Sequence, residues 1–139
     1  MADPVGTATG ILALTTFTYK STVALFELVK SFKHHNSRVR ELSDELISLK
    51  NILASLAETI QAIPDVDLSA LRIPLQRCEH AVKDFEEELL RCSDHAVKDR
   101  TSFRDWARLR YMGEDLDGFR RLLATYKVTI NIALTDATL

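Results

Sequence analysis

The chain has little of what breaks helices or staples small folds. Four glycines and three prolines in 139 residues leave too little turn chemistry for a β-sandwich, whose many short strands each need a turn. No stretch alternates apolar and polar residues as a half-buried strand would, and there is no internal repeat or low-complexity linker. The two cysteines, Cys78 and Cys92, lie in a single helical pattern about 20 Å apart, well beyond disulfide reach. They read as buried thiols of a reducing, cytoplasmic compartment. Basic excess is missing too: a net charge of −2 argues against a dedicated nucleic-acid binder. His34, His35, His80 and His95 show no zinc-type spacing with one another or with the cysteines, so no metal is expected. Nucleophile elbow, P-loop, dinucleotide turn and zincin pair are all lacking. The carboxylates of "FEEELL" have no base partner in view and suit a solvated face. Neither an enzyme nor a cofactor is expected.

What remains is helix. The apolar and charged fractions, 46% and 27%, are those of a globular chain, and the length suits one domain spanning 1–139. Val39, Leu42, Leu46, Leu49, Leu53, Leu56, Ile60 and Ile63 recur at alternating spacings of three and four, the seam of a long amphipathic helix. "IPDVD" ends it, because Pro64 disfavours helical geometry in the residue before it and aspartates suit a turn. A second series follows through Leu68, Leu71, Leu75, Cys78, Val82, Phe85, Leu89, Cys92 and Ala96, with Pro74 suited to the first helical position. "SDHAVKDRTS" reads as a connection, and Ser102 with Asp105 as a weak capping box for a short helix carrying Trp106. Gly113 precedes Glu114, Asp115 and Asp117, acids that favour a helix start. The stripe Leu116, Phe119, Leu123, Tyr126, Ile130 and Ala133 continues from there. With the N-terminal segment this predicts an all-α, antiparallel up-and-down bundle of four main helices, with that short helix before the last.

The N-terminal segment is the unusual one. Between Asp3 and Glu27 its only ionised side chain is Lys20. An export signal would carry Lys or Arg first, whereas here Asp3 leads and threonines interrupt the apolar stretch. Asp3 and Pro4 suit an N-cap and first helical position, which predicts a helix to about Phe32. One seam on it would be Ile11, Leu14, Thr18, Ser21, Leu25, Leu28 and Phe32, yet other apolar residues cover other faces. Gly6 and Gly10 have the spacing that lets helix backbones approach closely. Eight Val, Ile, Leu and Phe residues contribute about −4 kcal/mol to membrane insertion, and Lys20 takes back about 2.5 to 3.5. Seven Ser and Thr hydroxyls must then be carried with almost nothing left. A permanent span is therefore marginal. The choice lies between a helix buried in its own bundle and the same helix inserted conditionally.

"MADPVGTATGILAL", "RELSDELISLKNILASL", "PLQRCEHAVKDFEEELLRCS" and above all "RTSFRDWARLRYMGEDLDGFRRLLATYKVTINIAL" resemble the N-terminal domain of fungal STAND, or NOD-like receptor, proteins. This is the HeLo-like type, also described by its similarity to the N-terminus of a pigment-cluster protein. The resemblance covers essentially the whole chain. It implies a helical effector module, similar to the four-helix domains of necroptosis executioners and of some plant resistance receptors. It also implies helix-mediated self-association and conditional membrane targeting leading to cell death. That role would fall on Val5, Gly6, Gly10, Ile11, Leu12, Leu14, Phe17 and Leu25. Partners implied are a second copy, other receptor or signalling domains, and anionic membrane lipids on activation, but not nucleic acid.

Anionic head groups would meet Lys33, Arg38 and Arg40 at the end of the first helix and Arg100, Arg104 and Arg108 around Trp106, each near an acidic surface contributing about 1 kcal/mol. Neighbouring acids would equally make these a solvated, ion-paired face. A structural oligomerisation or partner-binding bundle without membrane activity is the alternative from another class.

Overall fold

The structure is a computed structural model that describes residues 8–31, 37–63, 65–99 and 113–138. The expectations placed on Asp3, Pro4, Val5, Gly6, Phe32, Lys33 and the segment 100–112 lie outside the described residues. Four α-helices are described: α1 (Ala8–Lys30), α2 (Ser37–Ala62), α3 (Arg72–Asp99) and α4 (Gly113–Thr138). A single 3-10 turn, Ser69–Leu71, leads into α3. Among the described residues there is no strand, and the bundle is all-α as its periodicity requires.

Both long heptad series face the core as far as their side chains are described, those of Cys92 and Ala96 lying outside the described residues. Val39, Leu42, Leu46, Leu49, Leu53 and Leu56 of α2 are fully buried, and Ile60 nearly so. Leu75, Cys78, Val82, Phe85 and Leu89 form the matching stripe of α3, which buried Leu71 of the 3-10 turn extends. On α4, Leu116, Phe119, Leu123 and Ile130 are buried, while Tyr126 and Ala133 pack half-buried at the edge of that stripe. Helix α3 begins two residues before Pro74, so the proline occupies the first turn without starting it. The geometry is tolerated there because the first N–H groups of a helix have no intrahelical acceptor. Ahead of it, the Asp67 carboxylate accepts from the Ser69 N–H at 3.1 Å and the Ser69 hydroxyl at 2.7 Å, closing the turn. Those two hydrogen bonds hold the Asp67 carboxyl below its usual range.

Helix α1 packs against both α2 and α3, whereas α4 packs mainly against α2 and more lightly against α3. Arg120 meets Glu41 and Lys127 meets Glu45, so α2 and α4 run parallel. Phe85 stacks on Phe119 at 4.2 Å between ring centroids and Tyr126 lies beside Cys78, so α3 and α4 run antiparallel. Directions therefore alternate from α2 to α4, but α2 and α3, consecutive in sequence, face each other across the core. Residues 65–71 belong to that connection and lead into α3.

The seam of α1 differs from the one expected. Its fully buried residues are Ile11, Thr15, Thr18, Thr22, Leu25 and Val29, with Leu14, Ser21 and Leu28 half-buried beside them. Contact with two neighbouring helices rotates the buried face toward the threonines. Replacing Leu53 by Ala is expected to cost about 2–5 kcal/mol in urea denaturation, since the leucine is fully buried. Thr18→Val, which keeps the shape and removes a hydroxyl, is expected to change stability by less than about 1 kcal/mol.

Candidate functional site

The threonines of α1 can enter the core because their hydroxyls are satisfied locally. Thr15, Thr16, Thr18 and Thr22 donate to the carbonyls of Ile11, Leu12, Leu14 and Thr18 at 2.7, 2.9, 2.7 and 2.7 Å. Such back-bonding turns the polar atom onto the helix and the methyl outward. Thr18 Oγ1 also stands 3.5 Å from the Leu75 carbonyl of α3, which brings the two backbones close. Local satisfaction removes much of the cost of burying a hydroxyl, in protein or in lipid.

The candidate residues of this helix occupy three surfaces. Ile11 and Leu25 are in the core, Leu12 and Leu14 are half-buried against it, and Gly10 is half-buried. Phe17 points away from the core and is 60% exposed, on the same outer side as exposed Lys20. At the far end the Lys30 ammonium lies over the Phe26 ring, 5.8 Å from its centroid. Of the residues expected to hold anionic head groups, Arg40 is exposed on α2 and the side chain of Arg38 lies outside the described residues, as do Arg100, Arg104 and Arg108. The expectation placed on the two basic segments therefore lies, Arg40 apart, outside the described residues. Among them, no helix is long and apolar enough to cross a membrane.

A polar seam fastens α4 to α2. The Lys127 ammonium pairs with Glu45 at 2.5 Å and donates to the Ser48 hydroxyl at 3.0 Å, with about a fifth of each charged side chain left exposed. One turn or two toward the N-terminus, Arg120 pairs with Glu41 at 3.1 Å and with Asp117 at 3.6 Å. Periodicity did not single these residues out, because each sits just outside an apolar stripe. The cross-helix match exists only once α2 and α4 lie side by side in parallel. Glu86 of α3 keeps one carboxylate oxygen buried with no hydrogen-bond partner among the described residues. Loss of water raises its pKa, with Lys83 opposing and Glu87 adding to the shift. Its contribution to stability therefore becomes more favourable as pH falls toward that raised value. Burial pushes the Cys78 thiol up to about 12, so at neutral pH it stays protonated among Val82, Leu75 and Tyr126. Among the described residues no group of three or more His, Cys, Asp or Glu side chains is placed to hold a metal ion.

The family described as pigment biosynthesis cluster protein PigL N-terminal matches residues 2–139. The chain belongs to this family. No curated protein and no solved structure matches it. The match spans nearly the whole chain, so the bundle described above is this chain's form of the PigL N-terminal family domain.

Lys127→Ala would leave Glu45 beside apolar surface without its countercharge, and a loss of about 1–3 kcal/mol is expected in chemical denaturation. Combining Lys127→Met with Glu45→Leu should recover most of it, a coupling that a double-mutant cycle measures directly. In a Cys92→Ser background, Cys78 should react with a thiol reagent only at the rate of global unfolding. Fast labelling of the native protein would contradict its burial.

Proposed function

We propose that this domain is a cytoplasmic signalling module that works by docking a helix face onto a second copy or onto another receptor domain. The observation that carries it is the exposure of large apolar side chains away from the core. Val128 and Ile132 on α4 are each 58% exposed and lie one turn apart. A solvated helix face normally carries charge there, and Val128 and Ile132 belong neither to the core nor to the apolar residues packed against it. The family membership is consistent with a domain joined to others, and the resemblance to STAND receptor N-termini suggests signalling by proximity.

Conditional membrane association on activation is the second reading, and the back-bonded threonines favour it. With four hydroxyls closed onto their own helix, α1 is less costly to place in lipid than its composition suggests. Its core residues Ile11, Leu25 and Val29 would first have to leave α2 and α3, so insertion requires release from the bundle. Cell death would be the downstream consequence of that release.

Light scattering over a wide concentration range tests association, with a mass above that of one chain as the expected result. A protein that stays strictly monomeric over that range would overturn docking onto a second copy. The membrane version predicts dye leakage from phosphatidylserine-containing vesicles only when the protein is clustered. Phe17→Glu, which alters an exposed position and spares the core, should abolish that leakage. Clustered wild type that leaves such vesicles intact removes the membrane version and leaves docking standing.

A further inference from the structure

We propose that the outer face of α4 docks on the same face of a second copy of this chain, antiparallel, about a twofold axis between Val128 and Thr129. The proposal deepens the association role above and depends on it. Arg121, Thr125, Val128, Thr129, Ile132 and Asp136 fall on one side of the helix, opposite the stripe of Leu116, Phe119, Leu123 and Ile130. All of them are exposed except Thr129, which is half-buried.

The order of chemistry along this face selects the partner. A cation stands at one end, an anion at the other, and the two exposed aliphatic side chains lie between them. Arg121 and Asp136 lie about 22 Å apart along the helix, and the midpoint between them falls between Val128 and Thr129. An antiparallel copy reverses the order, so each Arg121 meets the other copy's Asp136 and the two Val128 side chains meet at the axis. Parallel pairing would stack Arg on Arg and Asp on Asp. Self-complementarity under a twofold is what an isologous interface requires, and a different partner would have no need of it.

The neighbours reinforce the match. Arg120 is already committed to Glu41 and Asp117, whereas no ion pair engages Arg121 or Asp136 among the described residues. The hydroxyls of Thr125 and Thr129 donate to the carbonyls of Arg121 and Thr125 at 3.0 and 3.1 Å, so these residues offer a partner mainly their methyl groups. A strip one helix wide, about 10 Å, and about 22 Å long is well below the ~800 Å² per partner of a standard interface. The dimer is therefore weak and forms at high local concentration, as when the domain is tethered within a larger assembly.

Sedimentation equilibrium of the full chain measures the dimer constant. Arg121→Asp and Asp136→Arg should each weaken dimerisation about tenfold, because two symmetric ion pairs become repulsive. The double reversal should restore it, while circular dichroism stays unchanged. In a Cys92→Ser background, Val128→Cys should form an intermolecular disulfide on mild oxidation, and mixed Arg121→Cys and Asp136→Cys should cross-link to each other. A dimer that ignores both charge reversals and does not cross-link at 128 overturns the α4 surface and leaves association through another face intact. Self-linking of Arg121→Cys at a yield above that of the mixed pair overturns the antiparallel arrangement. A chain that stays monomeric at millimolar concentration overturns this surface and self-association with it, whereas a dimer insensitive to these substitutions overturns the α4 surface alone.

Discussion

Burial of three threonines between α2 and α3 is the constraint on which the arrangement of this bundle depends. Thr15, Thr18 and Thr22 sit where a coiled-coil seam would put leucine, and each reaches the core because its hydroxyl turns back onto its own helix. A threonine fills less volume than a leucine and lets the neighbouring backbone come closer. Helix α1 can therefore be wedged against two partners at once, with Leu25 and Val29 filling the space toward its end.

The fourth helix is held differently. Its apolar contact is shorter, and a polar seam supplements it: Lys127 with Glu45 and Ser48, Arg120 with Glu41 and Asp117. Ion pairs of this kind add little net stability beside a well-packed apolar contact, but they permit one register and penalise others. Register matters here, since it decides which face of α4 looks outward. With Lys127 locked onto α2, Val128 and Ile132 are turned to the surface. The polar seam that positions the helix is thus also what presents its apolar outer face.

Much of the fold was legible in the sequence. The alternation of three and four from Val39 and from Leu68 describes a surface that stays on one side of a helix for many turns, and the buried residues of α2 and α3 follow it nearly residue by residue. The seam of α1 was less legible. Hydropathy treats threonine as polar, so a stripe through Leu14 and Leu28 looks better than one through Thr15, Thr22 and Val29, and back-bonding reverses that order. Pro74 pointed to a helix start two residues late because any of the first-turn positions spares its missing N–H. The candidate site was the least legible part. Ile11, Leu25 and Phe17 share one apolar segment, yet two lie in the core and one faces solvent.

The sequence by itself determined that this chain is a helical bundle, which described residues of α2 and α3 are buried, and that its first helix is nearly free of charge. Those properties are local: spacing, propensity and turn chemistry act within a few residues of one another. Only the tertiary structure decided which helices are neighbours, that consecutive α2 and α3 lie across the core from each other, and that Lys127 finds Glu45. Amphipathic stripes are interchangeable as hydrophobic surfaces, so periodicity states that a face is buried without naming what buries it. Side-chain shape and charge, compared across helices distant in sequence, make that choice, and they leave Phe17, Val128 and Ile132 on the outside.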